Sequence, residues 1–164
     1  MKEIKLTQGK VALVDDEDYE YLNQWKWFAY KSRNTFYAKR SGRFNGKNTN
    51  IIMHRVIMNT PVGMETDHRD HNGLNNQKYN MRICTIAQNN YNRIPYGWSK
   101  YLGVSHIEGH PIAQIRKERK LFYLGFFKTE EDAAHAYDKK AIEFFGEFAN
   151  LNFPYEKQVL YGNI

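Results

Sequence analysis

Four residues between positions 67 and 89 have the types and spacing to hydrolyse a phosphodiester: Asp67, His68, Asn80 and Asn89. Such a reaction needs an activated water, charge stabilisation on the phosphoryl oxygens and help for the departing alkoxide. An imidazole titrates near pH ~6.5, so His68 is suited to taking a proton from water at neutral pH. Asp67 beside it offers a hard oxygen to a metal ion. Asn80 can hold the imidazole and fix its tautomer, and Asn89 can add a second oxygen to the metal.

Particular elements must position these side chains. Neighbours on a strand point to opposite faces, so Asp67 and His68 share one site only at a strand end where the chain bends. The polar loop from Asp70 to Asn76, centred on Gly73, supplies the bend. Tyr79 to Cys84 is predicted to return as a strand. Thr85-Ile86-Ala87-Gln88 then fits a capping box that starts a helix running to about Arg93. An Asp-His pair alone also occurs as a helix cap or surface pair; the order strand, loop, strand, helix is what links it to chemistry. Nearby, His54 is read as a packed or capping histidine rather than a ligand. His71 either touches a phosphate or is an exposed loop residue, and Arg82 either supports the site, meets a DNA phosphate or forms a structural salt bridge.

In order along the chain, His54-Arg55-Val56-Ile57-Met58-Asn59, Gly63 to His68, Asn72 to Asn76, Asn80-Met81-Arg82 and Gln88-Asn89-Asn90 resemble the HNH endonucleases, in particular their phage and intron-encoded branch. The resemblance implies a ββα-metal motif with His68 as general base, Asn80 positioning it, and Asp67 and Asn89 holding one divalent ion. Asn89 stands where many members have histidine, as it does in the homing-endonuclease branch. The ion implied is Mg2+ or Mn2+, which suits oxygen ligands better than zinc does.

Composition narrows the class. Apolar residues make up 41 % and aromatics 15 % of 164 residues. No apolar run reaches the ~18 residues of a membrane span, and Met1 to Leu6 lacks a secretory h-region. The expectation is a cytoplasmic protein, in a bacterial host and encoded by a phage or mobile element. The lone Cys84, read as a small buried hydrophobe, excludes an intrachain disulfide and multi-cysteine zinc. A net charge of +6 is unevenly spread, because no acidic residue occurs from Lys26 to Arg55. Arg33, Lys39, Arg40 and Arg43 lie there, interleaved with aromatics, a nucleic-acid footprint. The alternatives are a solvated β surface, protein assembly or RNA binding.

Earlier elements are predicted as a strand from Lys10 to Val14, a helix starting at Asp15-Asp16-Glu17-Asp18 and ending near Asn23, and a hairpin of Trp25–Tyr30 and Phe36–Arg40. Ser41-Gly42 and Asn45-Gly46 read as turns, with a third strand at Asn50–Met53. Pro95 to Ser99 marks a boundary. Beyond it, Leu102–Ile107, Ile112–Lys117 and Lys120–Phe126 alternate as three antiparallel strands. Thr129 and Asp132 then cap an amphipathic helix to Phe145, with Gly146 as its stop.

This second unit resembles the AP2 DNA-binding domain of plant transcription factors, which is also appended to phage HNH nucleases. The matching residues include Tyr101, Gly103, Val104, Ala113, Ile115, Arg116, Tyr123-Leu124-Gly125-Phe126, Thr129 to Ala134, Ala136-Tyr137-Asp138 and Asn150 to Phe153. The resemblance implies a sheet that enters the major groove with the helix behind it. Lys100, Gln114, Arg116, Lys117, Arg119 and Lys120 are the expected DNA contacts, and the acidic helix should face away. Leu102 and Pro111 stand where the family commonly has arginine and tryptophan, so sequence preference does not carry over.

The expected fold class is α+β. A basic, aromatic α+β region (1–50), an HNH motif (51–93), a linker (94–98), an AP2-like domain (99–154) and a tail (155–164) make up the chain. The expected function is a metal-dependent endonuclease, of the homing kind, acting on double-stranded DNA as a monomer or homodimer. A noncatalytic DNA-binding regulator with a decayed HNH motif is the alternative.

Overall fold

Side chains alternate in direction along Lys2–Lys5 (β1) and Val11–Val14 (β2), which puts Ile4, Ala12 and Val14 on the buried side of an antiparallel hairpin. A computed structural model of the chain describes residues 1–32, 34–44, 46–92 and 99–154. Arg33, the expected linker 94–98 and the tail 155–164 lie outside the described residues. The chain divides into two compact units, Met1–Asn89 and Asn90–Ile164, both built from helices and small antiparallel sheets. Among the described residues, no helix is long and apolar enough to cross a membrane.

After β2, carboxylates at Asp16, Glu17 and Asp18 occupy the first turn of α1 (Asp16–Leu22), where they favour the positive end of the helix dipole. A meander follows: β3 (Phe28–Ser32), β4 (Thr35–Phe44) and β5 (Lys47–Ile52). The first strand begins later than the sequence pattern predicts, because Trp27 turns into the core and donates to the Leu22 carbonyl at 2.8 Å. Ser41-Gly42 is not a turn but the middle of β4. There Gly42 is needed for close approach, since a Cβ at this position would lie 2.3 Å from Ile51 Cδ1. Ile4, Ala12, Val14, Leu22, Trp27, Ala38 and Met53 form one core, which therefore runs through the expected boundary at 50/51.

Met53–Ile57 forms α2, and Glu65–His68 (β6) pairs antiparallel with Met81–Cys84 (β7). The Thr85–Gln88 box closes as its spacing predicts. Gln88 N donates to Thr85 Oγ1 at 3.2 Å and Thr85 N donates to Gln88 Oε1 at 2.8 Å. The helix it starts, α3, is short, Ile86–Asn89.

In the second unit, β8 (Val104–Ile107), β9 (His110–Lys117) and β10 (Lys120–Phe126) form the antiparallel sheet, and α4 (Glu130–Phe145) packs on it. Thr129 Oγ1 accepts from Asp132 N at 3.0 Å, and Gly146 ends the helix at φ 54°. Val104, Ala113 and Ile115 of the sheet meet Ala133, Ala134, Tyr137 and Ala141 of the helix. Asp138 is fully buried and accepts from the amides of Asn152 and Phe153, so one carboxylate ties the segment after the helix to its side.

Candidate active site

Side chains alternate along β6, so Glu65 and Asp67 leave one face of the strand while Thr66 and His68 leave the other. Cross-strand register sets Asp67 opposite Arg82 and Glu65 opposite Cys84. Arg82 therefore reaches Asp67 directly: Nε and Nη2 donate to Asp67 Oδ2 at 2.8 and 2.7 Å, with both side chains buried. Of the three roles open for Arg82 in the sequence, the salt bridge and support of the site are what the geometry provides. Expected on the DNA surface, it is instead buried, because its pairing partner is a buried carboxylate.

Asn89, on α3, donates through Nδ2 to the Glu65 carboxylate. The strand period places Glu65 on the face of Asp67, so Asn89 is bonded to the next residue along that face, one that the sequence reading passed over. Its spacing, two before Asp67, was the available signal. Burial pushes the Cys84 thiol up to about 11, helped by the negative charges of Asp67 and Glu65, and it has no role as a thiolate.

His68, the last residue of β6, is 5 % exposed. Its ring lies 5.1 Å from that of His54 and 5.9 Å from that of Tyr37, centre to centre. Nε2 is 3.3 Å from Oδ1 of Asn76, which is itself fully buried. Burial lowers the His68 pKa below the ordinary imidazole value, although the Asn76 bond and the carboxylates of Asp70 and Asp67 act the other way. The ring is therefore neutral, and able to accept a proton, at neutral pH. His54 is packed in the core, as expected, and burial together with the charges of His68, Arg55 and Lys39 drives its pKa down to about 3.

Asn80 does not meet the imidazole. Among the described residues its side chain donates to Asp70 Oδ1 and to the Asn75 carbonyl, each at 2.9 Å, and accepts from Asp70 N at 3.1 Å. It clamps the loop that follows His68 rather than the ring, and backbone bonds tighten the same loop: Arg69 N donates to the Asn80 carbonyl and His71 N to that of His68. His71 takes φ 60° in this tight return. Gly73 lets the loop dock on β4. Its amide donates to Thr35 Oγ1 at 2.9 Å, and a Cβ there would lie 2.5 Å from both the Phe36 carbonyl oxygen and the Tyr37 ring.

Strand alternation also sorts the cationic residues of the first unit. Tyr37, which touches His68, shares its face of β4 with Lys39 and Arg43. The Lys39 ammonium lies 3.4 Å from the Tyr30 ring centre, and Arg43 is exposed. Arg40 points the other way, its guanidinium 4.3 Å from the Trp25 ring and 5.5 Å from that of Trp27. It was expected on the DNA surface and packs as a cover on two tryptophans instead.

In the second unit, Gln114 and Arg116 lie on the sheet face away from α4, across from Tyr123 and Leu121, both more than half exposed. Gln114 Nε2 also reaches Ser105 Oγ at 3.3 Å. Lys117 turns to the helix side, 4.8 Å from the Phe144 ring, and Lys120 covers Phe122. Arg119 stands in the β9–β10 turn at φ 66°, and Lys100 lies over Tyr101.

No family model matches the chain. A stretch of 61 residues, 35 % of the chain, is 46 % identical to the ethylene-responsive transcription factor WRI1 and 48 % identical to the AP2-like ethylene-responsive transcription factor PLT2, both of Arabidopsis thaliana. It spans only 14 % and 11 % of those two proteins. Over 152 residues, the chain is 32 % identical to an uncharacterized HNH endonuclease of Acanthamoeba polyphaga mimivirus, with 88 % of this chain and 76 % of that protein covered. On that likeness, which takes in the strand, loop, strand and helix around His68, the chain belongs to the HNH endonuclease family.

Proposed function

We propose that the chain is a metal-dependent DNA endonuclease in which β6, β7 and α3 act as a ββα-metal motif and the AP2-like second unit selects the site. The observation that carries this reading is the preparation of the pair at the end of β6: a buried His68 bonded to Asn76, beside an Asp67 held by Arg82. His68 takes the proton of the attacking water. Asp67 and Asn89 hold one Mg2+ or Mn2+, and their fit rests on donor chemistry. Both offer oxygen, both belong to the Glu65–Asp67 side of the strand, and Arg82 offsets one of the two carboxylate charges there. Among the described residues, no group of three or more His, Cys, Asp or Glu could hold a metal ion, so Asp67 and Asn89 would be the protein's own ligands. When bound, the ion stabilises charge on the phosphoryl oxygens and the leaving alkoxide.

Lys39 and Arg43 extend from the site along one strand face and grip the duplex backbone. Gln114 and Arg116 face base edges in the major groove, while Lys100, Arg119 and Lys120 meet phosphates. One site cuts one strand, so a monomer nicks and a double-strand break requires a second copy. Selection of a defined site by a small enzyme of this kind suits a homing endonuclease. Supercoiled plasmid incubated with the protein and Mg2+ or Mn2+ tests the reading. Nicked circles that vanish with EDTA are expected; intact plasmid alongside tight duplex binding favours a noncatalytic regulator.

A further inference from the structure

We propose that Asn76, not Asn80, is the positioning residue that fixes the tautomer of His68, a role that rests on His68 being the general base. An asparagine amide presents an oxygen on one side and an NH2 on the other, so its neighbours decide which end faces the imidazole. The Asn76 NH2 is directed at the Leu74 carbonyl, 3.3 Å away, with the Met53 sulfur at 3.7 Å. Turning the amide over would set its oxygen against that carbonyl oxygen, two acceptors facing each other in a site with no exposure to water. The oxygen is therefore committed to His68 Nε2. A neutral imidazole carries one proton, which belongs at Nε2 to make this bond, so the lone pair that receives a proton from water is at Nδ1.

The backbone holds Asn76 as firmly as its amide does. Asn76 N donates to the Leu13 carbonyl at 2.8 Å, and Leu13 N donates to the Leu74 carbonyl at 2.8 Å. The next two residues are tied to the start of α1, where Asp15 accepts from Gln77 Nε2 at 3.3 Å and from Lys78 N at 2.8 Å. The β2–α1 segment, outside the HNH motif, thus sets the base. Tyr37 and His54 fix the plane of the ring, and Asn76 fixes its proton.

Long-range 1H–15N NMR of the labelled full chain, at about pH 8 where imidazole is neutral, reads the tautomer without reference to activity. A single Nε2–H form of His68 is expected in the wild type. Asn76→Leu, similar in size but lacking the acceptor, should yield mixed tautomers and a plasmid-nicking kcat lower by about 10- to 100-fold, as for other residues that orient a catalytic ligand. The DNA concentration for half-maximal rate should stay within about twofold of wild type, as expected when an interaction made only in the transition state is lost. An Nδ1–H ring in the wild type overturns the proposal even if no variant folds, as does an unchanged tautomer in Asn76→Leu. Should His68→Ala nick at the wild-type rate, the base reading itself fails, whatever the tautomer.

Discussion

Arg82 and Asp67 face each other across β6 and β7, joined by two contacts of 2.8 and 2.7 Å to a single carboxylate oxygen, both side chains buried. Truncating one partner leaves the other charge buried without compensation. Arg82→Met is expected to cost about 3 to 5 kcal/mol of stability, read as a lower urea midpoint. Since Arg82 is not on the surface, duplex affinity of the folded variant should change little. A large loss of affinity at unchanged stability would return Arg82 to the DNA interface.

His54 makes stability depend on pH. Its folded pKa of about 3 lies below its ordinary value of 6.5, so between those values the unfolded chain binds more protons than the folded one. Stability from this group is complete above the ordinary value and drains away as pH falls toward the folded one. His54→Leu should lose less stability than wild type between about pH 7.5 and about pH 4.5 in urea titrations. An equal loss would assign the acid sensitivity to other groups.

Alternation along β4 separates two neighbouring cations. Lys39→Ala and Arg43→Ala should each weaken duplex binding and reduce the slope of log affinity against log salt by about one, measured by fluorescence anisotropy. Arg40→Ala should leave that slope alone and lower the melting temperature, because it uncovers Trp25 and Trp27.

On the second unit, Arg116→Ala should relax sequence preference in a binding selection from random duplexes, because it lies on the open sheet face. Lys117→Ala, on the helix side, should leave the selected sequence unchanged. The opposite pattern would place the readout face on the other side of the sheet.

Much of this was legible in the sequence, and what was not has physical causes. The capping residues Thr85, Gln88, Thr129 and Asp132 announced two helices because their bonds are local. β1 was missed because Lys2–Lys5 buries only Ile4, too short a pattern to show alternation. Gly42 read as a turn because its purpose, room for Ile51, lies on the next strand. The choice among Asn72, Asn75, Asn76 and Asn80 was hidden, since all are polar loop residues and the deciding contacts come from distant Leu13 and Asp15. Lys39 and Arg40 were separable in principle by the strand period. Both flanks are aromatic, however, so the buried side could not be named in advance.

The central claim is that His68 takes the proton while Asp67 serves the metal, and nicking of supercoiled plasmid under Mg2+ and Mn2+ tests it most directly. His68→Ala should lower the rate by roughly 100-fold or more with either metal while retaining duplex binding, and Asp67→Asn should raise the Mn2+ concentration needed for half-maximal rate. Metal-dependent nicking by His68→Ala at the wild-type rate would contradict the account.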